Sequence, residues 1–266
     1  MGIFNDYEIF KAKFYNISGI DLNLYKEKQM KRRITSLAEK YGHATYCSFL
    51  EAMKRDPELY KVFINYLTIN VSEFFRNPSQ WIYFEKTVLS EIFKNKNLKD
   101  LKIWSSACST GDEPYTIVMI MNKFLPLEKI NILATDIDIE AMNKAKTGIY
   151  FSRSLKELPK EYLDKYFTKI NDDSYQISER VRRCVTFRQL NLLRDPYPKG
   201  MDIIICRNVL IYFTEEAKNY IMKGFSESLR PGGVLFIGST EQIMNYHSFN
   251  LKPIETFFYQ KTEGNC

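Results

Sequence analysis

The amino-acid sequence predicts an α/β fold with a mostly parallel sheet, preceded by an all-helical domain and interrupted by a small antiparallel β insertion. Residues 1–76 show apolar positions three or four apart and no strand-like alternation. From residue 101 onwards, short apolar runs alternate with helical stretches of about a dozen residues, which is typical of βαβ units. We therefore expect a helical N-terminal domain at 1–76 and an α/β domain at 77–266 that contains a β-subdomain at 150–184.

The N-terminal domain is predicted to consist of helices separated by glycine and proline. Gly19 and Gly42 interrupt the apolar spacing, and Pro57 stands where proline fits the first turn of a helix. The helices are expected around residues 10–17 and at 22–41, 46–54 and 58–67.

The α/β domain opens with a predicted helix at 77–93, for which Asn77 is the expected N-cap and Pro78 the first helical residue. Short apolar strands and longer helices then alternate, with strands expected at 101–105, 130–135, 185–190, 201–206 and 234–239 and helices at 112–125, 139–146 and 214–229. The insertion is expected to contain a helix at 160–166 and β-rich runs at 166–170, 175–178 and 181–184. An Asn/Asp cluster at 171–173 predicts a hairpin turn there, and residues 253–261 are a β-rich terminal segment.

The composition excludes several classes of protein. The 266 residues are 45% hydrophobic and 26% charged, as in an ordinary globular chain. No apolar run approaches the roughly 18 residues that a membrane span needs, and the first residues lack a secretion-signal pattern. Five cysteines without C-x-x-C spacing indicate free thiols, so we expect a cytoplasmic protein without membrane insertion. The chain has two histidines, and we expect no metal cofactor.

The net charge of +6 is concentrated in two segments. Residues 1–80 contain 12 basic and 9 acidic side chains, and residues 151–190 contain 9 and 6, whereas the remainder is balanced. A local positive surface favours an acidic partner. Solvated basic side chains on helix faces are the alternative explanation.

The residues that follow the predicted strands indicate a ligand, because open α/β sheets bind ligands beyond the carboxyl ends of their strands. Residues 105–111 form a loop of small residues with a single glycine, which matches neither the dinucleotide fingerprint nor the P-loop. Asp112 and Glu113 at the start of the next helix would repel a pyrophosphate and suit a cationic group. The loop therefore indicates a ligand without phosphate.

The later strands add nucleoside-binding groups. Asp136, after the second strand, is placed to accept hydrogen bonds from ribose hydroxyls, and Asn191, after the third, could read an adenine edge. Cys206 and Arg207 follow the fourth strand. A nucleoside that carries a cation and no phosphate fits S-adenosylmethionine. Taken singly, the aspartates could be helix caps and Asn191 a turn residue.

Five sequence blocks resemble the chemotaxis receptor glutamate methyltransferases of the CheR type. The blocks are NVSEFFR at 70–76, WSSACSTGDEPY at 104–115, ATDID at 134–138, NLL at 191–193 and CRNVLIYF at 206–213. The resemblance covers nearly the whole chain and implies a class I methyltransferase, Rossmann-like fold. It further implies S-adenosylmethionine as methyl donor, S-adenosylhomocysteine as product, and glutamate side chains of chemotaxis receptors as acceptors. Ser72 stands where the family often has Thr and Asp112 where Glu is common, so the hydroxyl and the charge are kept.

The resemblance also assigns site residues by motif position. Arg76 and Tyr212 would lie beside the transferred methyl group as catalytic residues. The cofactor site would be lined by Asn70, Ser72, Arg76, Glu113, Asp136, Asn191, Leu192, Cys206 and Arg207. The alternatives are that Arg76 is a surface residue ahead of a helix and that Tyr212 packs in the core.

A glutamate acceptor needs little chemistry from the enzyme. With a reference pKa of about 4.3 it is already ionised near neutral pH and needs no general base. We expect Arg76 to steer this carboxylate and Tyr212 to donate a hydrogen bond or to wall the methyl path. Lys28, Lys31 and Arg32 share one face of the second predicted helix and are the expected dock for the glutamate-rich helical bundle of a receptor. A solvated helix face is the alternative.

Two other functions are compatible with parts of the sequence. A nucleic-acid methyltransferase would suit the sequence pI of 8.9, although the fourth strand lacks the Asn/Asp-Pro-Pro-aromatic string of base-amine methylation. A catalytically silent scaffold that senses the cofactor is expected to have lost Arg76 or Tyr212, and both are present. We therefore expect a monomeric enzyme that acts on receptors and not on nucleic acid.

Overall fold

The structure is a computed structural model that describes residues 5–95 and 101–263, with the backbone alone for residues 93–95. The chain divides into two compact units. The first comprises Met1–Ile69 and Ile211–Tyr220, and the second comprises Asn70–Leu210 and Ile221–Cys266. Residues 70–76, which the sequence analysis grouped with the helical domain, thus cluster with the second unit. No helix among the described residues is long and apolar enough to cross a membrane.

The first unit is helical, as predicted. Its helices are α1 (Tyr7–Ser18), α2 (Glu27–Lys40), α3 (Tyr46–Arg55) and α4 (Pro57–Thr68). Asp56 caps α4 by accepting hydrogen bonds from two backbone N–H groups of its first turn, next to the proline at the first helical position. Phe10, Phe14, Phe49 and Phe63 are at most 1% exposed, and their rings contact one another to form the core of this unit.

The second unit contains the strands and the remaining helices. Its first helix is continuous through α5 (Pro78–Tyr83), a π-helical segment (Phe84–Leu89) and α6 (Ser90–Asn95). The other helices are α7 (Asp112–Met121), α8 (Ile139–Thr147), α9 (Lys160–Tyr166), α10 (Glu179–Arg182) and α11 (Glu215–Ser228), the last of which has residues in both units. The strands are β1 (Ile103–Ser105), β2 (Ile132–Asp136), β3 (Ile149–Phe151), β4 (Phe167–Asn171), β5 (Ser174–Ile177), β6 (Val185–Gln189), β7 (Met201–Cys206), β8 (Leu229–Ile237), β9 (Leu251–Glu255) and β10 (Phe258–Lys261).

Seven of these strands form the main sheet, in the order β6-β2-β1-β7-β8-β10-β9. The first five pair in parallel, and β10 and β9 are antiparallel. All six residues of β7 are buried, which explains why all but Asp202 are apolar. The chain passes from β1 to β2 on one side and later returns to β7 on the other. The predicted mostly parallel α/β sheet is therefore confirmed, and β1 lies where the strand order switches.

The insertion is a separate three-stranded antiparallel sheet, in the order β3-β5-β4. The hairpin predicted at the Asn/Asp cluster is confirmed as the turn between β4 and β5. The β-rich run predicted at 181–184 is wrong: Ser178 caps α10 there, accepting a hydrogen bond from the Val181 N–H at 3.4 Å. The short strand β3 escaped prediction because it is only three residues long and is defined by its partner β5.

Candidate functional site

The carboxyl ends of four adjacent parallel strands, β6, β2, β1 and β7, meet at one edge of the main sheet. The loops that leave these strands carry most of the residues that the sequence marked as a binding site. Two backbone contacts join the loops directly, because the Ser106 N–H donates to Ile205 O and the Leu190 N–H donates to Asp136 O, at 2.9 and 3.0 Å. The strand order therefore brings the predicted residues of the second unit to one place.

The loop after β1 turns tightly into α7. Gly111 is the N-cap of α7 with a φ of 89°, and a Cβ added there would lie 2.7 Å from the Ala145 Cβ. Ser109, two residues earlier, also has a positive φ of 46°. The Tyr150 hydroxyl holds the turn by donating to Thr110 O at 2.7 Å. Position 111 therefore requires glycine for both its conformation and its space.

Asp136 ends β2 and is 8% exposed. Its two carboxylate oxygens accept hydrogen bonds from the backbone N–H groups of Ser109 and Asp138, at 2.7 and 2.9 Å. Burial raises the pKa of Asp136 to about 6, against these hydrogen bonds and with a further increase from the charge of Asp138. A carboxylate has about four acceptor sites, so two backbone donors leave capacity for the hydroxyls of a ribose.

Asn70 is tied into the same network. Its side-chain N–H donates to Asp138 Oδ2 at 2.6 Å, and its Oδ1 accepts from the Ser109 hydroxyl at 2.9 Å. Asp138 also caps α8 by accepting from the Ala141 N–H at 3.1 Å. Ser109 and Asp138 are not among the residues that the sequence predicts for the site. The signal that was available for Asp138 is its position as a cap residue directly before a predicted helix.

Two further carboxylates begin α7: Asp112 is buried, and the side chain of Glu113 is 11% exposed. Ser105 donates to Glu113 at 2.7 Å, and Arg207 Nη1 lies 3.9 Å from the other oxygen of Glu113. Burial raises the pKa of Glu113 to about 7, although Arg207 and Ser105 lower it. Asp112 is fully buried, and burial raises its pKa to about 6 against hydrogen bonds from Thr110 and Ser72. Both carboxyls therefore titrate closer to neutral pH than an ordinary carboxyl does.

Arg207 links the end of β7 to the segment before α5. Its Nη2 lies 2.7 Å from Arg76 O, 3.1 Å from Asn77 Oδ1 and 2.9 Å from Gln80 Oε1, and it donates to this group of oxygens. The guanidinium lies about 5 Å from the ring centres of Trp81 and Phe236. Burial lowers the pKa of Arg207 to about 10. The group stays cationic at neutral pH and holds the Arg76 backbone in place.

Arg76 is presented on an unusual turn. The residues on either side of it, Phe75 and Asn77, have φ values of 53° and 61°, in the left-handed region. The carbonyl of Arg76 accepts from Arg207 and from the Trp81 indole, the latter at 3.0 Å. The Nη1 of Arg76 donates to Val71 O at 3.2 Å. Asn77 is the N-cap residue of α5, as predicted, but its side chain makes no cap hydrogen bond and accepts from Arg207 instead.

The remaining predicted residues of the second unit follow β6 and β7. The Asn191 Oδ1 accepts from the Leu193 N–H at 2.9 Å, which fixes the carboxamide in a turn of its own backbone. Leu192 and Cys206 are buried, at 7% and 0% exposure. Cys206 is the last residue of β7 and leads directly to Arg207.

Tyr212 and the predicted docking residues belong to the first unit. Tyr212 ends a short 3-10 helix at Leu210–Tyr212, and its carbonyl accepts from the Lys26 N–H at 2.8 Å. Lys28 and Arg32 are exposed on α2, whereas Lys31 is half-buried with its Nζ 5.2 Å from the centre of the Tyr7 ring.

The site lies beyond the carboxyl ends of a parallel sheet, is acidic, and turns on a single glycine where a phosphate-binding loop would need more. These features are typical of an α/β protein that binds a cationic nucleoside. Comparison with known proteins identifies the family. Residues 70–258 match the CheR methyltransferase SAM-binding domain, and residues 5–68 match the CheR methyltransferase all-alpha domain. The chain belongs to the CheR methyltransferase family and is an S-adenosylmethionine-dependent methyltransferase of chemotaxis.

Relatives across several bacteria match nearly the whole chain. A chemotaxis protein methyltransferase of Listeria monocytogenes is 44% identical over 257 residues, which cover 97% of each chain. Chemotaxis protein methyltransferase 2 of Vibrio cholerae is 37% identical over 272 residues, covering 97% of this chain and 94% of that one. A chemotaxis protein methyltransferase of Escherichia coli is 34% identical over 239 residues, covering 85% and 80%. The predicted family is therefore confirmed.

Proposed function

We propose that this enzyme transfers a methyl group from S-adenosylmethionine to glutamate side-chain carboxylates of chemotaxis receptors, yielding glutamyl methyl esters and S-adenosylhomocysteine. The observation that carries the proposal is the group of largely buried carboxylates, Asp112, Glu113 and Asp136, at the start of α7 and the end of β2. We further propose that it acts as a monomer in the cytoplasm on the receptors' cytoplasmic methylation region, needs no metal, and has no nucleic-acid substrate.

The chemistry of the donor set fits this cofactor. Asp136 can accept ribose hydroxyls, and Glu113 and Asp112 offer negative charge to an ammonium or sulfonium group. In this proposal Asn70 and Ser72 close the site from the segment before α5, and Asn191, Leu192 and Cys206 close it at the ends of β6 and β7. S-adenosylmethionine, when bound, supplies an electrophilic methyl carbon on a sulfonium centre.

The acceptor glutamate needs alignment more than activation. Its carboxylate is ionised at neutral pH, so the site needs no general base. Because opposite charges neutralise each other as the methyl group moves, strong solvation of either charge opposes the reaction, and a site with little water favours it. Alignment of two bound reactants can lower a barrier by roughly 7–11 kcal/mol.

Arg76 and Tyr212 are the proposed catalytic residues. Arg207 and Trp81 both donate to the Arg76 carbonyl and so fix the turn that carries Arg76. This turn restricts where the Arg76 guanidinium can reach. Arg76 would steer the incoming carboxylate without pairing so tightly that it suppresses nucleophilic attack. Tyr212 would donate a hydrogen bond to the acceptor or line the space through which the methyl group is transferred.

The acceptor protein is proposed to dock on α2 through Lys28, Lys31 and Arg32. The two exposed cations, Lys28 and Arg32, are accessible on this helix, and a glutamate-rich partner offers the opposite charge. This face gives the first unit a role in substrate recognition.

The test of the proposed function is a transfer assay with methyl-labelled S-adenosylmethionine. A receptor cytoplasmic fragment with methylatable glutamates should gain label that mild base releases as methanol, which is the signature of a methyl ester. The same fragment with those glutamates changed to glutamine should gain none. Base-stable label, or equal labelling of duplex DNA or RNA, would refute the assignment in favour of a nucleic-acid or amine acceptor.

A further inference from the structure

Glu241 is a buried carboxylate that neither the mechanism above nor the sequence analysis uses. It lies in the loop that follows β8 and is 5% exposed. Three backbone N–H groups donate to it: Asn208 and Gly238 to Oε2, at 2.7 and 2.8 Å, and Leu210 to Oε1, at 2.6 Å. Hydrogen bonds of this kind to an ionised acceptor are roughly twice as strong as those between neutral groups.

The three donors come from the ends of two neighbouring parallel strands. Cys206 of β7 pairs with Ile237 of β8, so the chain segments that follow both strands start side by side. Gly238 follows β8 directly, whereas Asn208 and Leu210 lie in the loop after β7. The Glu241 side chain therefore joins the two loops by accepting hydrogen bonds from backbone N–H groups of both.

The arrangement is close enough to demand glycine at position 238. A Cβ built on Gly238 would lie 2.5 Å from Glu241 Oε2 and 2.6 Å from the Asn208 nitrogen. Asn208 has a φ of 60°, in the left-handed region, which Asn tolerates better than most residues. The Glu241 N–H closes the ring of contacts by donating to Gly238 O at 3.1 Å.

The loop that Glu241 holds contains residues next to those of the proposed mechanism. Arg207, which fixes the Arg76 carbonyl, immediately precedes Asn208, and Tyr212 follows Leu210 by two residues. The charge of Glu241 also acts on this region, since it favours the cationic form of Arg207. A small movement of this turn would displace Arg207 and with it the support of the Arg76 carbonyl.

We propose that Glu241 is a positioning residue for methyl transfer: its carboxylate fixes the Asn208–Leu210 turn and thereby sets the placement of Arg207, which holds the carbonyl of Arg76. This inference rests on the proposed function for its kinetic consequence. A misplacement of about 1 Å in a reacting geometry is enough to lower a rate by about 100-fold.

The decisive variant is Glu241→Gln, which keeps the size of the side chain but replaces one acceptor oxygen with a donor. Glu255→Gln, an exposed carboxylate on β9, is the matched control. Sites are counted by calorimetric titration with S-adenosylhomocysteine, and kcat is expressed per binding site. We expect kcat to fall at least about tenfold in Glu241→Gln and to stay within about twofold in the control.

A second readout does not depend on the acceptor. Hydrogen exchange of residues 206–213 in the enzyme bound to S-adenosylhomocysteine should become faster in Glu241→Gln, while exchange of β2 stays unchanged. If the wild type transfers no methyl group to the receptor fragment, the proposed function fails and the exchange result alone decides the role of Glu241.

The proposal is overturned if kcat per binding site and exchange of 206–213 both match the wild type, even where the melting temperature falls. Where Glu241→Gln binds no S-adenosylhomocysteine, Glu241→Asp takes its place. Aspartate keeps the carboxylate, but its side chain is one methylene shorter and places the carboxylate farther from the three N–H donors. It must then show the same fall in kcat and the same faster exchange. Loss of binding in both variants would indicate a purely structural residue and refute positioning.

Discussion

The affinity for the methyl donor should depend on pH through Glu113. Burial raises the pKa of this carboxyl to about 7, although Arg207 and Ser105 lower it. A cationic ligand prefers the ionised carboxylate, so binding below this pKa requires the loss of a proton. Each pH unit below 7 should therefore weaken the affinity by up to about tenfold, or about 1.4 kcal/mol, and above about pH 7 the affinity should level off.

Calorimetric titration with S-adenosylmethionine between about pH 6 and about pH 8 measures this slope. Glu113→Gln should bind more weakly and show a shallower slope over this range, because only Asp112 and Asp136 remain to titrate, and burial raises their pKa values to about 6. Glu128→Gln, an exposed carboxylate paired with Arg180, is the control and should keep the wild-type slope. An affinity independent of pH in the wild type, or an unchanged slope in Glu113→Gln, would refute the reasoning.

The same pKa predicts a change in the stability of the ligand-free enzyme. A carboxyl whose pKa rises from 4.5 to about 7 on folding is unfavourable when ionised. Its penalty is absent below about pH 4.5, grows through the window up to about pH 7, and is complete above it, at about 3 kcal/mol. The unfolding free energy of Glu113→Gln relative to wild type should therefore rise by about this amount across that window, measured by urea denaturation. A constant difference between the two proteins would contradict the raised pKa.

Three further variants test the catalytic, docking and turn residues. Arg76→Ala should lower kcat by about 100-fold while the affinity for S-adenosylhomocysteine changes only a few-fold, and near-wild-type turnover would remove Arg76 from the mechanism. Replacing Lys28 and Arg32 by Glu should raise the KM for a receptor fragment at low salt but not at high salt. The control variant Lys252→Glu should leave this KM unchanged. A salt-independent KM in the Lys28 and Arg32 variant would count against the dock. Gly111→Ala should lower the unfolding free energy by about 2 kcal/mol and weaken cofactor binding, since its φ of 89° excludes a side chain; wild-type values in denaturation and titration would show that the turn can relax.

Local sequence patterns were sufficient to predict the main sheet and the helical unit. The apolar run of β7 and the capped starts of α4 and α8 are properties of neighbouring residues. Elements that depend on partners distant in the sequence were harder to predict. The strand β3 exists because it pairs with β5 across more than twenty residues of chain, and nothing within its three residues indicates this pairing.

The candidate site divides in the same way. Asp136 and Glu113 could be selected because a carboxylate directly after a parallel strand, or at the next helix start, has a position that the topology fixes. The roles of Asn77 and Glu241 could not be predicted from the sequence, because each depends on donors from other loops. Asn77 accepts from Arg207, 130 residues later, and Glu241 accepts from backbone groups that become neighbours only when β7 and β8 pair.

In the proposed function the site holds a cationic donor and admits an anionic acceptor, and its charges bear on both tasks. With pKa values of about 6 to 7, Asp112, Glu113 and Asp136 can carry less than their full negative charge while the site lacks a cation. A bound cationic donor would favour their ionised forms, and its positive charge would offset part of theirs. Arg207, buried and still cationic, offsets further charge beside Glu113. Both cations would therefore lower the repulsion that the proposed acceptor carboxylate meets on its way to Arg76.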